Sequence, residues 1–220
     1  MKKIMMLLLA VMPLLIITSC EEKAYKPTGP MAYGHEYIDL GLSVKWATMN
    51  VGANRPEGYG DYYAWGEVEV KDTYTQSNYK WWNADKRIYT KYTKDIYKAP
   101  ILEKEDDVAA VKWGGEWRMP TIQEFRELLD NCETYYDELN GVPGYRFVSE
   151  INGNSIFLPA AGDGDSDKDK LHEWGFYHTS SLSSRTDMNE IVYFYACNIG
   201  YIDDVRGYRD EGLSIRPVMP

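Results

Sequence analysis

Residues 113–132 read Trp113-Gly-Gly-Glu-Trp117-Arg-Met-Pro120-Thr121-Ile122-Gln-Glu124-Phe125-Arg-Glu-Leu128-Leu129-Asp-Asn-Cys132. Thr121 with Glu124 three residues on is a capping box, each side chain meeting the other residue's backbone N–H at a helix start. Ile122, Phe125, Leu128, Leu129 and Cys132 then fall on one face, with Gln123, Arg126, Glu127 and Asp130 opposite. That periodicity predicts a helix covering a core. Upstream, Asp106-Asp107 precede Val108–Lys112 and Gly114-Gly115 follow. Acids at the positive end and glycines behind predict a second, short helix.

Working outward, the pattern turns to strands. Tyr37–Leu40, Val44–Thr48 and Tyr62–Trp65 lie before the helices. Tyr145–Ser149 and Ser155–Leu158, separated by the turn pair Asn152-Gly153, lie after them, then Phe176–Ser180, Ile191–Cys197 and Leu213–Val218. Short mixed strands, two short helices and long loops predict a single α+β domain. No repeat of solenoid type is present.

The amino-terminal end has a different character. Lys2 and Lys3 precede an apolar run, Ile4–Ile17, broken only by Pro13. The run is short for a membrane span and has the shape of a secretory leader. Ile17-Thr18-Ser19-Cys20 resembles the bacterial lipobox, which implies cleavage before Cys20 and acylation of its thiol and new amino terminus, a stable anchor. Residues 1–19 are therefore expected to be a signal peptide. Residues 20–35, polar with Pro27, Gly29 and Pro30, are expected to be a lipidated tether, and 36–220 the folded domain. Glu21-Glu22 resembles the acidic surface-export mark of Bacteroidetes lipoproteins, so a cell outer-membrane location facing the exterior is expected.

The chain carries 34 acidic against 24 basic residues, a net charge of −10. Losing the leader removes two lysines and no acid, which moves the charge to −12. Nucleic acid is thereby disfavoured as a partner. Tyr and Trp far outnumber Phe, a balance that suits interfaces and ligand platforms. Beyond Cys20, only Cys132 and Cys197 remain; an oxidising envelope permits a bridge between them, and two separate thiols are the alternative.

Five blocks in order carry a resemblance. They are Tyr37-Ile-Asp-Leu-Gly-Leu-Ser-Val-Lys-Trp-Ala-Thr-Met-Asn-Val-Gly-Ala53, Tyr59-Gly-Asp-Tyr-Tyr-Ala-Trp-Gly-Glu67, Trp113-Gly-Gly-Glu-Trp-Arg-Met-Pro-Thr121, Asn154-Ser-Ile-Phe-Leu-Pro-Ala-Ala-Gly162 and Gly212-Leu-Ser-Ile-Arg-Pro-Val218. Over residues 36–218 the chain resembles the Fibrobacter succinogenes major paralogous domain family of envelope proteins. The resemblance implies a C-type-lectin-like fold related to formylglycine-generating enzymes and to variable receptors. Met49 stands where members often carry Cys, which weakens any family disulfide to Cys132.

Chemistry is weakly signalled. Formylglycine-generating relatives use a close Cys pair near the carboxyl end, where this chain has Cys197 alone. His35, His172 and His178 sit in no nucleophile motif, so no enzyme and no cofactor are expected. Asp163-Gly-Asp-Ser-Asp-Lys-Asp169 spaces carboxylates as a calcium loop does, but Lys168 and Trp174 take the Gly and Glu positions such a loop needs, so no metal is expected. The stretch Tyr79–Tyr97 mixes aromatics with Lys80, Lys86, Arg87, Lys91 and Lys94; it reads as a loop pinned by its rings, or else as a glycan platform.

The segment Cys197–Arg209 mixes Tyr, Asn, Asp and Arg, the types that binding surfaces favour. By resemblance to variable receptors, the ligand-binding candidates are Tyr177, His178, Asn198, Tyr201, Asp203, Asp204, Arg206 and Tyr208. A polar loop is the alternative. The expected role is non-catalytic binding of an extracellular glycan or protein through the carboxyl-terminal loop face. A structural or tip subunit of an adhesin or pilus assembly and a hypervariable receptor fed by a diversity-generating retroelement are alternatives.

Overall fold

The structure is a computed structural model that describes residues 24–93, 101–164, 174–182, 190–197 and 202–220, with 190–197 and 202–206 described by their backbone. Cys20 with its leader, Asn198, Tyr201, His172 and most of the acidic loop lie outside the described residues. The fold is α+β.

Helix α2 (Ile122–Asp130) starts as its sequence requires. The Thr121 hydroxyl accepts the Glu124 N–H at 3.3 Å and the Glu124 carboxylate accepts the Thr121 N–H at 2.7 Å. Its end comes earlier than its apolar stripe suggests. The Asn131 amide donates to the Glu127 carbonyl at 2.8 Å, which meets one of the orphan carbonyls of the last turn. Cys132 then opens a strand. Helix α1 (Val108–Trp113) is capped by Asp107, whose carboxylate also accepts the Met119 N–H at 2.8 Å. That second bond folds the Trp113–Thr121 block back over the helix start.

Strands β1 (Met31–Ala32), β2 (His35–Ile38), β3 (Lys45–Ala47) and β12 (Val218–Met219) form one antiparallel sheet, with Val218 opposite Trp46. The chain end is thereby sewn to its beginning. A small hairpin pairs β4 (Trp82–Asn83) with β5 (Ile88–Tyr89). A meander follows α2: β6 (Cys132–Leu139), β7 (Val142–Ser149) and β8 (Ser155–Pro159). The third sheet has the order β11-β10-β9, with β9 (Trp174–Leu182), β10 (Glu190–Cys197) and β11 (Ile202–Tyr208).

Three differences from the sequence expectations have physical reasons. Cys132-Glu-Thr-Tyr-Tyr-Asp-Glu-Leu139 lacks the apolar alternation of a half-buried strand, because β6 is a sheet edge. Its charges suit an edge that must not recruit another chain. Leu213–Val218 is extended, but it pairs by isolated bridges at Leu213 and Ser214 and joins a ladder only from Val218: Pro217 has no N–H to give, and Arg216 turns inward. Ile202–Tyr208, expected to be irregular, is a regular strand in register with β10.

Two apolar clusters carry the fold. Trp46, Phe125, Leu128, Phe147, Leu158 and Tyr177 meet where α2 lies over the sheets. Trp65, Tyr92, Val108, Met119 and Ile215 meet under α1. Cys132 belongs to the first cluster as a free, buried thiol, and the side chain of Cys197, with which a bridge was one of the two alternatives, lies outside the described residues. Burial, with Glu150 nearby, pushes that thiol up to about 11, which leaves it unreactive at neutral pH.

The expected tether also needs correction. The Tyr25 hydroxyl donates to Glu36 at 2.6 Å, and the Thr28 N–H donates to the same carboxylate at 2.7 Å, joined by the Gly29 N–H. Thr48 Oγ1 completes the shell at 3.1 Å. Burial works against the charge of Glu36, yet these donors hold its carboxyl below the ordinary range. The body of the protein therefore includes Tyr25–Gly29 and does not start at residue 36. Replacing Glu36 with Ala is expected to speed amide exchange at Thr28 and Gly29 by roughly tenfold or more, since their shared acceptor is gone. Unchanged exchange would mean that packing alone holds the segment.

Candidate functional site

The sequence candidates divide sharply in space. Tyr177 is fully buried, its hydroxyl donating to the Pro159 carbonyl at 2.6 Å, and it packs in the first core cluster. His178 is also fully buried; Nε2 lies 2.9 Å from the Tyr63 carbonyl and 3.1 Å from the Glu211 carbonyl. Two carbonyl neighbours place the proton on Nε2, and burial lowers the imidazole to about 4. Both residues are corrected from ligand contacts to framework. Tyr208 is exposed.

Asp203, Asp204 and Arg206 lie on β11, the outer strand of its sheet. Strand alternation separates the position of Asp203 from those of Asp204, Arg206 and Tyr208. The set therefore does not share one face. Register aligns Asp203 with Tyr195, and Tyr195 with Phe176.

Strand β9 organises what the sequence left unseen. Trp174, Phe176 and His178 alternate along one face and descend from exposed, through half-buried, to fully buried. Gly175 and Tyr177 point the other way, where α2 packs. The Trp174 and Phe176 rings lie 6.4 Å apart with planes 3° from parallel.

Beside Phe176 a recess of about 120 Å³ is walled by Leu213, Asp163 and Glu211. The chain builds it by three backbone ties: the Gly162 N–H to the Trp174 carbonyl at 2.8 Å, the Gly164 N–H to the Gly212 carbonyl at 2.7 Å, and the His178 N–H to the Ser214 carbonyl at 3.0 Å. Burial above all, reinforced by Asp210 and Asp163, raises the Glu211 carboxyl to about 7, although the Tyr208 N–H donates to it at 3.1 Å. His178 thus stands behind the recess and holds Glu211 by its backbone.

Comparison of the chain with protein-family models, curated proteins and solved structures gives no match. The site must therefore be judged on its own geometry.

The aromatic stretch beginning at Tyr79 is engaged by the fold through Tyr92. The Tyr79 hydroxyl donates to the Trp65 carbonyl at 2.8 Å, and that of Tyr92 to Asp106 at 2.7 Å. Lys80 and Lys91 lie over the Trp81 ring and pair with Asp106 at 3.2 and 2.5 Å. Arg209, fully buried between Trp65 and Tyr89, donates to the Lys91 and Tyr92 carbonyls at 3.1 and 2.8 Å. Pinning is what these rings do; Lys94 and Tyr97 lie outside the described residues.

A larger cleft, about 510 Å³, opens between α1, the start of α2 and the end of β9, against Leu102, Trp117 and Ile101. Arg118, Asp107 and Ser180 in its lining are turned to structural ends. Arg118 grips Glu124 at 2.8 Å, Asp107 caps α1, and Ser180 Oγ donates to the Pro120 carbonyl at 3.3 Å. The β9 face is the better candidate, because it joins exposed rings to a recess with polar walls. Trp174-x-Phe176-x-His178 was the available signal, a period-two run that strand alternation places on one face.

Proposed function

We propose that this chain is a lipid-anchored envelope protein that binds an extracellular glycan or protein through its carboxyl-terminal face, without catalysis. The observation that carries the reading is the β9 face, where Trp174 is exposed next to Phe176 and its polar-walled recess, with Tyr208 exposed at the end of β11, three residues before Glu211. We assign the domain to the Fibrobacter succinogenes major paralogous family and its fold to the C-type-lectin-like class. The ordered sequence blocks support this, as does the way β12 pairs beside β3, bringing the chain ends together. The lipobox-like Ile17–Cys20 supports anchoring, and Glu21-Glu22 supports an outer-membrane, outward-facing location. No helix among the described residues is long and apolar enough to cross a membrane, so attachment would rest on the acyl chains.

A structural subunit is the second reading. It is favoured by β11, the outer strand of its sheet and so a template for strand addition.

Labelling cells with an alkynyl fatty acid tests the anchor. Label is expected on the parent chain and its loss is expected in the Cys20→Ala variant, with protease shaving of intact cells removing the domain. A chain that takes no label, or that shaving leaves whole, contradicts the anchor or the outward face respectively.

A further inference from the structure

We infer that Trp174, Phe176, Asp163 and Glu211 form a subsite for one neutral pyranose residue of a glycan. The inference rests on the binding reading above and names both its ligand class and its location.

The chemistry of each wall points to a sugar. A pyranose has one face of C–H bonds, which packs against an aromatic ring, and an equatorial rim of hydroxyls, which needs acceptors at its side. Trp174 offers a ring 38% exposed, and Phe176 a near-parallel one a step deeper. Asp163 and Glu211 stand beside Phe176 in the recess, where the rim of a sugar seated on Trp174 would present hydroxyls.

The recess of about 120 Å³ is too small for a whole oligosaccharide and suits a hydroxymethyl arm or a pair of hydroxyls, with the ring itself lying outside on Trp174. Leu213 supplies the apolar floor such an arm needs. The site is held before any ligand arrives: the backbone ties at Gly162, Gly164 and His178 fix both sides of the recess.

Charge selects among sugars. Asp163 and Glu211 both line the recess, Asp210 adjoins Glu211 in the chain, and the chain carries −10 overall. Sialic acids and uronic acids would bring like charge into a partly desolvated recess, which disfavours them. Neutral hexoses and N-acetylhexosamines meet no such penalty.

The test is an array of neutral oligosaccharides ending in glucose, galactose, mannose or N-acetylglucosamine, with sialylated and uronate-bearing counterparts. Selected neutral glycans would then be titrated against the purified chain lacking its leader. Four variants accompany it: Trp174→Ala, Glu211→Gln, Tyr208→Ala and, as a control on another sheet, Tyr135→Ala on the β6 edge. The expected result is binding of one or more neutral glycans, weakened roughly tenfold or more by Trp174→Ala and severalfold by Glu211→Gln, and unchanged by Tyr135→Ala. Equal melting temperatures of Trp174→Ala and parent would show that loss of binding is not loss of fold.

Preference for acidic glycans, or neutral binding indifferent to Trp174, would overturn the subsite. If Tyr208→Ala abolishes glycan binding while Trp174→Ala leaves it intact, the carboxyl-terminal face still binds and only this subsite falls. If no glycan of either charge binds, the subsite is wrong. The broader reading then depends on whether a protein ligand binds the parent chain and is lost on substitution of Tyr208.

Discussion

Replacing Arg216 with Met is expected to lower the unfolding free energy by about 3–5 kcal/mol, a large loss for a single substitution. The side chain is fully buried. Nε donates to Asn50 Oδ1 at 2.9 Å, Nη1 to the Ala47 carbonyl at 3.1 Å and Nη2 to the Phe157 carbonyl at 3.0 Å. One guanidinium therefore joins the exit of β3, the loop after it and β8. Methionine fills a similar volume and removes the cost of burying a charge, which works in its favour. Against that stand three buried acceptors left without donors, each costing about 1–3 kcal/mol. The second effect wins.

Arg216→Lys is expected to recover little, because a single ammonium cannot reach three acceptors spread around a planar fork. Urea unfolding of the three proteins, compared at equal slope, checks this. A loss below about 1 kcal/mol in Arg216→Met would mean that the acceptors find water or other donors, and would remove Arg216 as a keystone.

The second large effect is on acid stability and belongs to His178. Burial lowers its imidazole to about 4, whereas in the unfolded chain it titrates near the ordinary 6.5. Between those values the unfolded chain binds the extra proton and the folded one does not. The stability associated with neutral His178 is thus fully present above about pH 6.5 and is lost as pH falls toward 4, by on the order of 3 kcal/mol in all. His35 shifts the same way, through burial against Trp113. Glu211 acts in the opposite sense: its carboxyl, raised to about 7, is protonated more readily folded than unfolded, so acid favours the native state from pH 7 down to about 4.5.

The parent curve is consequently shallow, and substitutions separate its parts. His178→Gln, which can keep an N–H toward Tyr63 and Glu211, is expected to show much less acid destabilisation between pH 6.5 and 4.5. Glu211→Gln is expected to melt higher than the parent at pH 8, with the difference closing by pH 5. If the His178→Gln curve keeps the parent's slope through this window, the buried imidazole is not the group that senses acid.

The helices were legible in the sequence because their starts are local chemistry. Thr121 with Glu124, and Asp107 ahead of Val108, name their own backbone partners within a few residues. The α2 end was less legible, since the stripe from Ile122 to Leu128 continues in spacing to Cys132 while the hydrogen bonds of Asn131 close the helix first. Strand β6 was invisible for the reason that makes it an edge: its side chains answer to water on much of both faces, and no apolar period survives.

The candidate site divides on similar lines. A tyrosine and a histidine in a late strand look the same in sequence whether they meet a ligand or a core, and for Tyr177 and His178 it was the core that held them. Trp174 and Phe176 share a face with His178 and differ from it in depth, next to backbone ties at Gly162 and Gly164 that no local motif announces. Glu211 gained its unusual environment chiefly from burial, to which Asp163, far away along the chain, adds a smaller effect.

The carboxylate of Glu36 sets how far this protein can search. If Cys20 carries the lipid as proposed, the five residues from there to Tyr25 can span at most ~17 Å. The domain would then have almost no radial freedom above the bilayer and would sweep two dimensions in place of three. Ligands would have to come down to it, so long or surface-bound polymers would be met at many points along their length, while soluble fragments would gain nothing from the anchoring. Loosening Glu36 would lengthen the leash by several residues and trade that lateral crowding for reach.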